Sequence, residues 1–213
     1  MSAAKPFWVL ATQNPKKAKE LVALTDERIS VKTLAEIGLA DLEIIEDGDT
    51  FPENAEIKVR TVWQELRATS FEPLPDWVIA DDSGLCVDAL GGSPGVRSAR
   101  FALDAGCGQG DEDNNDLLLE RLRPHAQADE RRAHFACALC AISPEGRLAR
   151  FYGEVHGTIG HKRSGQGGFG YDPLFYPDEY PNQTTAELSP GEKHAISHRG
   201  KAFRDLAAAL LPE

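Results

Sequence analysis

Three stretches of this sequence hold residues whose types and spacing could do chemistry. The first is "IADDSG", where Asp81 and Asp82 close an apolar run. Two carboxylates at the end of a hydrophobic strand fit a Mg2+ site or a general base. Neighbours in an extended segment point in opposite directions, so only one of the pair is expected in the site. Asp, Ser and Gly are also turn residues, and the same letters suit a turn. Upstream, "EDGDTFPEN" offers Glu46, Asp47, Asp49 and Glu53 as metal partners. The second stretch is "ATQNPKK". A strand is expected to end there, Asn14 to cap, and Pro15 to open a helix carrying Lys16 and Lys17 in its first turn. Cations oppose the helix dipole at that end, so the placement fits either a bound phosphate or two solvated lysines. The third is "EKHAISHRGK", which crowds Lys193, His198, Arg199 and Lys201, with Ser197 as a cap for the last helix. An anionic ligand accounts for this cluster, and so does a solvated positive face. By contrast "DEDNND" reads as a solvated loop and helix cap.

"GQGGFGYDP" places Gly165, Gly167 and Gly170 in the G-x-G-x-x-G spacing of a dinucleotide-binding turn. That motif needs a helix after it, and Pro173 and Pro177 do not continue one. The expectation is a glycine loop passing close to a ligand and leading into an extended aromatic segment. "HRGKAF" lacks the first Gly and the Ser/Thr of a Walker A loop. Cys137 and Cys140 form C-x-x-C within an apparent buried strand. An offset of three points them to opposite faces, so they read as core thiols. Together the remaining groups supply phosphate donors, carboxylates for a metal, a glycine loop with an aromatic, and a cationic clamp. That set suits a nucleotide held through Mg2+.

These groups must be positioned by recognisable elements. "FWVLAT" reads as a buried strand and "NPKKAKELVAL" as the helix after it. "FPENAEIKVRTVWQEL" is a second helix, with Ala55, Val59, Val62, Trp63 and Leu66 at helical spacing. "WVIA" is a strand ending at "DDSG", and "LCVDAL" another. "DNNDLLLERL" is a helix. "RAHFACALCAIS" and "RLARFYGEVHGTIG" form two strands joined by "PEG". Ser189 and Glu192 form a capping box, and the last helix carries Phe203, Leu206, Ala207 and Leu210 on one face. The class is α/β with a mixed sheet flanked by helices, built as one unit over residues 1–213. A chain of 213 residues buries roughly 70% of its unfolded surface and needs no disulfide or structural metal. Its net charge of −11 argues against duplex nucleic acid and anionic membranes as partners. The apolar run at Phe7–Ala11 is too short for a signal-peptide core, and a cytoplasmic protein is expected.

Four motifs in order resemble the inosine triphosphate pyrophosphatase family, the dITP/XTP pyrophosphatases. They are "TQNPKK", "TFPENA", "ADDSGLCVDALGGSPGVRSARF", and "GGFGYDPLF" followed by "AELSPGEKHAISHRGKA". The resemblance implies a two-lobed fold with the active site in the cleft, a homodimer, and Mg2+-dependent hydrolysis of non-standard purine nucleoside triphosphates to monophosphate and pyrophosphate. It places Thr12, Gln13, Asn14, Pro15, Lys16 and Lys17 in the triphosphate loop. Asp82 becomes metal ligand and proton acceptor, with Lys17 and Lys193 stabilising developing charge. Ser83 becomes a substrate contact, and Phe169, Gly170, Tyr171 and Asp172 the base-binding segment, with Phe169 stacking on the purine. Lys193, His198 and Arg199 become the remaining substrate contacts. The second metal ligand maps to Glu46, in a looser local pattern. Gln13 departs from the family's Gly, and "FALDAGCGQG" is longer than the family's usual segment. A non-catalytic nucleotide-binding protein and a general metal-dependent phosphatase are the rival readings.

Overall fold

The computed structural model describes residues 5–12, 18, 21, 22, 25 and 28–211. Six strands pair in the order β2-β1-β3-β4-β5-β6. They are β1 (Phe7–Leu10), β2 (Ser30–Thr33), β3 (Trp77–Val87), β4 (Arg132–Ile142), β5 (Leu148–Ile159) and β6 (Phe175–Pro177). The sheet is mixed, as expected. β1 runs parallel to β2 and β3, with Trp8 opposite Trp77 and Leu10 opposite Ile79, while β5 and β6 are antiparallel. The helices bounded among the described residues are α1 (Phe51–Ala68), α2 (Phe101–Asp104), α3 (Asp111–Arg121), α4 (Pro190–Ile196) and α5 (His198–Leu210).

The chain divides into two compact units. One runs up to Asp82 and includes Ala138–Tyr152 and the residues from Ala202 on; the other is Ser83–Cys137 with Gly153–Lys201. In the first, Val9, Leu10, Val78 and Ile79 of the strands are buried, and so are Ala55, Val59, Val62 and Leu66 of α1. The helical period read from the sequence is thus the buried face of α1. In the second, Leu85, Val87, Leu118, Leu122, Val155, Ile159, Leu174 and Phe175 pack into one cluster.

Two expectations are corrected. "DDSG" is not a turn between strands: β3 continues through it for 11 residues. Apolar flanks on both sides are buried, Val78–Ala80 before it and Leu85 and Val87 after it, and this burial outweighs the local turn preference. "DEDNND" is not a solvated loop and cap: the helix read over "DNNDLLLERL" starts two residues earlier, at Asp111, and Asn114 and Asn115 are buried there. The hairpin turn between β4 and β5 forms as read, with the Ser143 N–H donating to the Arg147 carbonyl at 3.0 Å. Cys137 and Cys140 are buried thiols of β4, and burial pushes Cys140 up to about 11. The helix expected over "NPKKAKELVAL" lies mostly outside the described residues, of which Ala18, Leu21 and Val22 are helical.

Candidate active site

In the first unit the site is assembled by the N-terminal half of α1 and the middle of β3. Thr50 caps α1, and its hydroxyl accepts from the Glu53 N–H while the Glu53 carboxylate accepts from the Thr50 and Asp49 amides. This capping box takes Glu53 out of the set of metal candidates. It also fixes the helix start, so that Asn54 and Lys58, one turn apart, fall on the buried face beside Ala55 and Val59.

Both polar side chains reach Asp82. The Asn54 amide donates to Asp82 Oδ2 at 3.2 Å and Lys58 Nζ to Oδ1 at 3.1 Å. Nζ also meets Glu46 Oε2 at 2.6 Å and donates to the Asp81 carbonyl at 3.0 Å. The Asp82 and Lys58 side chains are 13% and 11% exposed, whereas Glu46 is 40% exposed. Burial pushes the Asp82 carboxyl above the ordinary carboxylate range, against the opposing pull of Lys58 and Asn54. Burial alone would favour a neutral Lys58, but Asp82, Glu46 and Asp81 outweigh it and hold the ammonium charged. Asp82 is therefore a carboxylate raised above its ordinary range by burial, with a fixed cation beside it.

Asp82 and Glu46 converge on one ammonium, which shows that their oxygens share a locus suited to a cation. No group of three or more His, Cys, Asp or Glu that could hold a metal occurs among the described residues. Two carboxylates with an all-oxygen donor set fit Mg2+, which commonly takes one or two protein carboxylates and fills its shell with water and substrate phosphate. The residues present therefore fit the expected metal. Sequence reading missed Lys58 and Asn54. Their signal was present in "TFPENAEIK": two polar residues four apart within an otherwise apolar helical stripe.

The second unit gathers the aromatic and cationic groups. The capping box of Ser189 and Glu192 forms as read and sets Lys193 one turn into α4. Ser197 accepts from the Gly200 N–H at 3.0 Å, which places His198 and Arg199 in the first turn of α5. Arg199 is 7% exposed and donates to Ser83 Oγ at 3.1 Å. Its guanidinium lies 6.0 Å and the Lys193 ammonium 4.9 Å from the centre of the Phe169 ring. That ring is 63% exposed, an uncommon state for a Phe and one suited to stacking on a planar ligand. His198 stacks on Phe135 at 5.1 Å, and Phe135 meets Phe175 edge-on at 4.8 Å.

Other expected site residues also carry structural duties. Tyr171 is buried in the core cluster and donates its hydroxyl to the Ser98 carbonyl at 2.8 Å. Asp172 is buried, accepts from the Phe169 amide and the Thr185 hydroxyl, and pairs with Lys193. The glycines before Phe169 meet the chain itself. A Cβ on Gly167 would lie 2.8 Å from the Ala186 carbonyl oxygen, and one on Gly168, at φ +78°, would collide with the Asp172 carboxylate. Lys201 is tied to the Glu154 carbonyl at 2.9 Å. Thr12 is half-buried, with its amide on the Leu10 carbonyl at 2.7 Å. Gln13, Asn14, Pro15, Lys16 and Lys17 lie outside the described residues.

A mixed α/β fold, a buried Asp82–Lys58 pair joined by the exposed Glu46, and an exposed Phe169 flanked by cations are the features expected of a nucleotide-handling class. The comparisons are more specific. The Ham1 family model matches residues 8–209, and the chain belongs to that family. A dITP/XTP pyrophosphatase of an Exiguobacterium species is 45% identical over 205 residues, covering 96% of both chains. Another, from Clostridium perfringens, is 41% identical over 93% of this chain and 94% of that one. The structure of the Staphylococcus aureus Ham1 protein superposes with a TM-score of 0.82 at 35% identity, covering 96% of this chain and 97% of that one. These matches bear out the resemblance read from the motifs.

Proposed function

We propose that this protein hydrolyses dITP/ITP and XTP/dXTP to the monophosphate and pyrophosphate, removing non-standard purines from the nucleotide pool. The reading includes Mg2+ as the metal and a cytoplasmic homodimer as the working form. The observation that carries it is the Asp82–Lys58–Glu46 cluster, in a chain 45% identical over 96% of its length to a protein named dITP/XTP pyrophosphatase.

Asp82 and Glu46 would hold Mg2+, which would supply neutralisation of the triphosphate charge and polarisation of phosphorus. Asp82 takes the proton of the water that attacks the α-phosphorus, a task suited to a carboxyl held above its ordinary range. Lys58 keeps Asp82 oriented and presents a cation where charge develops. Phe169 stacks on the base. Arg199 has only donors, and His198 can donate one; both suit the 6-keto oxygen of hypoxanthine and xanthine, whereas adenine presents an amino group there. Lys193 is left to the remaining substrate contacts.

The test is product analysis with Mg2+ across ITP, dITP, XTP, GTP and ATP. Pyrophosphate with the monophosphate, formed fastest from ITP, dITP and XTP, is the expected result. Orthophosphate would identify a general phosphatase, and binding without turnover a nucleotide-binding protein.

A further inference from the structure

The acidic start of α3 has a task that its composition hides. Asp111, the first residue of the helix, is exposed, and its Oδ2 accepts from the Gly170 N–H at 2.6 Å. Asn115, one turn later, is 1% exposed. Its amide donates to the Gly170 carbonyl at 2.8 Å and to the Asp111 carbonyl at 2.7 Å. Its Oδ1 is buried with no hydrogen-bond partner, so the side chain is held through its donor end alone. One helix therefore grips both backbone groups of a single loop residue.

Gly170 is the residue after the exposed ring of Phe169, and its φ of +60° lies in the left-handed region. A glycine there has wide freedom, and the peptide planes on its two sides set where the Phe169 ring faces. Asp111 fixes the plane before it and Asn115 the plane after it. The Asp172 carboxylate, accepting from the Phe169 amide at 2.8 Å, holds the preceding peptide. These three backbone bonds are all made by side chains, two of them from α3.

We infer that Asp111 and Asn115 are positioning residues for the base platform. They order the Phe169–Tyr171 segment before substrate arrives, so that stacking on the purine carries no cost of ordering the loop. This inference rests on the reading of Phe169 as the base platform. Stacking acts far from the reacting phosphorus and contributes equally to ground and transition states. Losing the grip therefore raises KM and leaves kcat unchanged.

The test compares Asp111→Ala with Asp111→Asn in the full-length protein. The alanine removes the acceptor, while the asparagine keeps a carbonyl oxygen at the same place and loses only the charge at the helix start. Two readouts are needed. Hydrogen exchange of the Gly170 amide is expected to quicken about tenfold or more in Asp111→Ala and to stay near wild type in Asp111→Asn. KM for ITP is expected to rise roughly five- to tenfold in Asp111→Ala, about the net worth of one ordinary hydrogen bond, with kcat within twofold and KM restored in Asp111→Asn. Equal losses in both variants would trace the effect to helix charge and overturn the inference. So would faster exchange with unchanged KM, or a fall in kcat at constant KM. A wild-type protein that does not hydrolyse ITP would instead overturn the proposed function, while the exchange comparison would still decide whether the grip exists.

Discussion

Lys58→Met is the perturbation that separates this account from one in which Asp82 works alone. Methionine keeps the length and apolar stem of lysine and removes the cation. The ammonium it deletes bonds Asp82 at 3.1 Å, Glu46 at 2.6 Å and the Asp81 carbonyl at 3.0 Å. Removing one partner of a buried ion pair costs about 3–5 kcal/mol. Glu46, at 40% exposure, adds little to this because solvent screens it, and Asp82 can escape part of the loss by taking a proton. A destabilisation of about 2–4 kcal/mol is therefore expected, which for a chain of this size lowers Tm by roughly 5–15 °C. In activity, removing one preorganised charge from the developing negative centre costs about 10²–10³ in kcat. The pH profile gives an independent sign. Lys58 is the main influence holding the Asp82 carboxyl down against burial. Asp82 must be ionised to accept a proton, so activity falls as pH drops through its pKa. In Lys58→Met that pKa rises, and the acid limb of kcat/KM moves to higher pH. Pyrophosphate release from ITP across pH, with a melting curve alongside, measures all three effects. A variant with kcat within tenfold of wild type and an unmoved acid limb would refute the coupling of Lys58 to Asp82.

Asp82→Asn keeps shape and removes both the charge and the proton acceptor; turnover should fall by roughly 10²–10⁴ while the melting curve keeps a single cooperative transition, and more than about a tenth of wild-type rate would remove Asp82 from the role of base. Chelation by excess EDTA should abolish turnover and added Mg2+ restore it, with the Mg2+ requirement rising as pH falls toward the Asp82 pKa, because the metal competes with the proton for that carboxylate. Wild-type kcat/KM should favour ITP strongly over ATP, and Arg199→Ala should shrink that ratio by about one lost buried partner, roughly 1–3 kcal/mol; an unchanged ratio with lower activity would place Arg199 on phosphate instead of the base.

Local signals carried most of the fold. The capping box at Ser189 and the apolar stripe of α1 depend only on residues within a few positions, and both form as read; the box at Thr50 is equally local, with Glu53 three residues on, but was not read. "DDSG" misled because its turn preference is local, while the burial of Val78–Ala80 and of Leu85 and Val87 that keeps β3 extended comes from the packed whole. In the candidate site, the Asp81–Asp82 pair was legible as two carboxylates closing an apolar run, and the family resemblance singled out Asp82. Lys58 was not legible, because a lysine in a helix usually turns its ammonium to water, and only the folded chain brings Nζ to Asp82 and Glu46. Asp111 and Asn115 were hidden for the same reason, since their partner, Gly170, is 59 and 55 positions away.

The central claim is that a water activated at Asp82 attacks the α-phosphorus, and the position of oxygen from that water tests it directly. Turnover of ITP in water enriched in oxygen-18, followed by mass spectrometry of both products, reads the bond that breaks. The account predicts one labelled oxygen in the nucleoside monophosphate and none in the pyrophosphate. Label in pyrophosphate, or release of labelled orthophosphate, would contradict it.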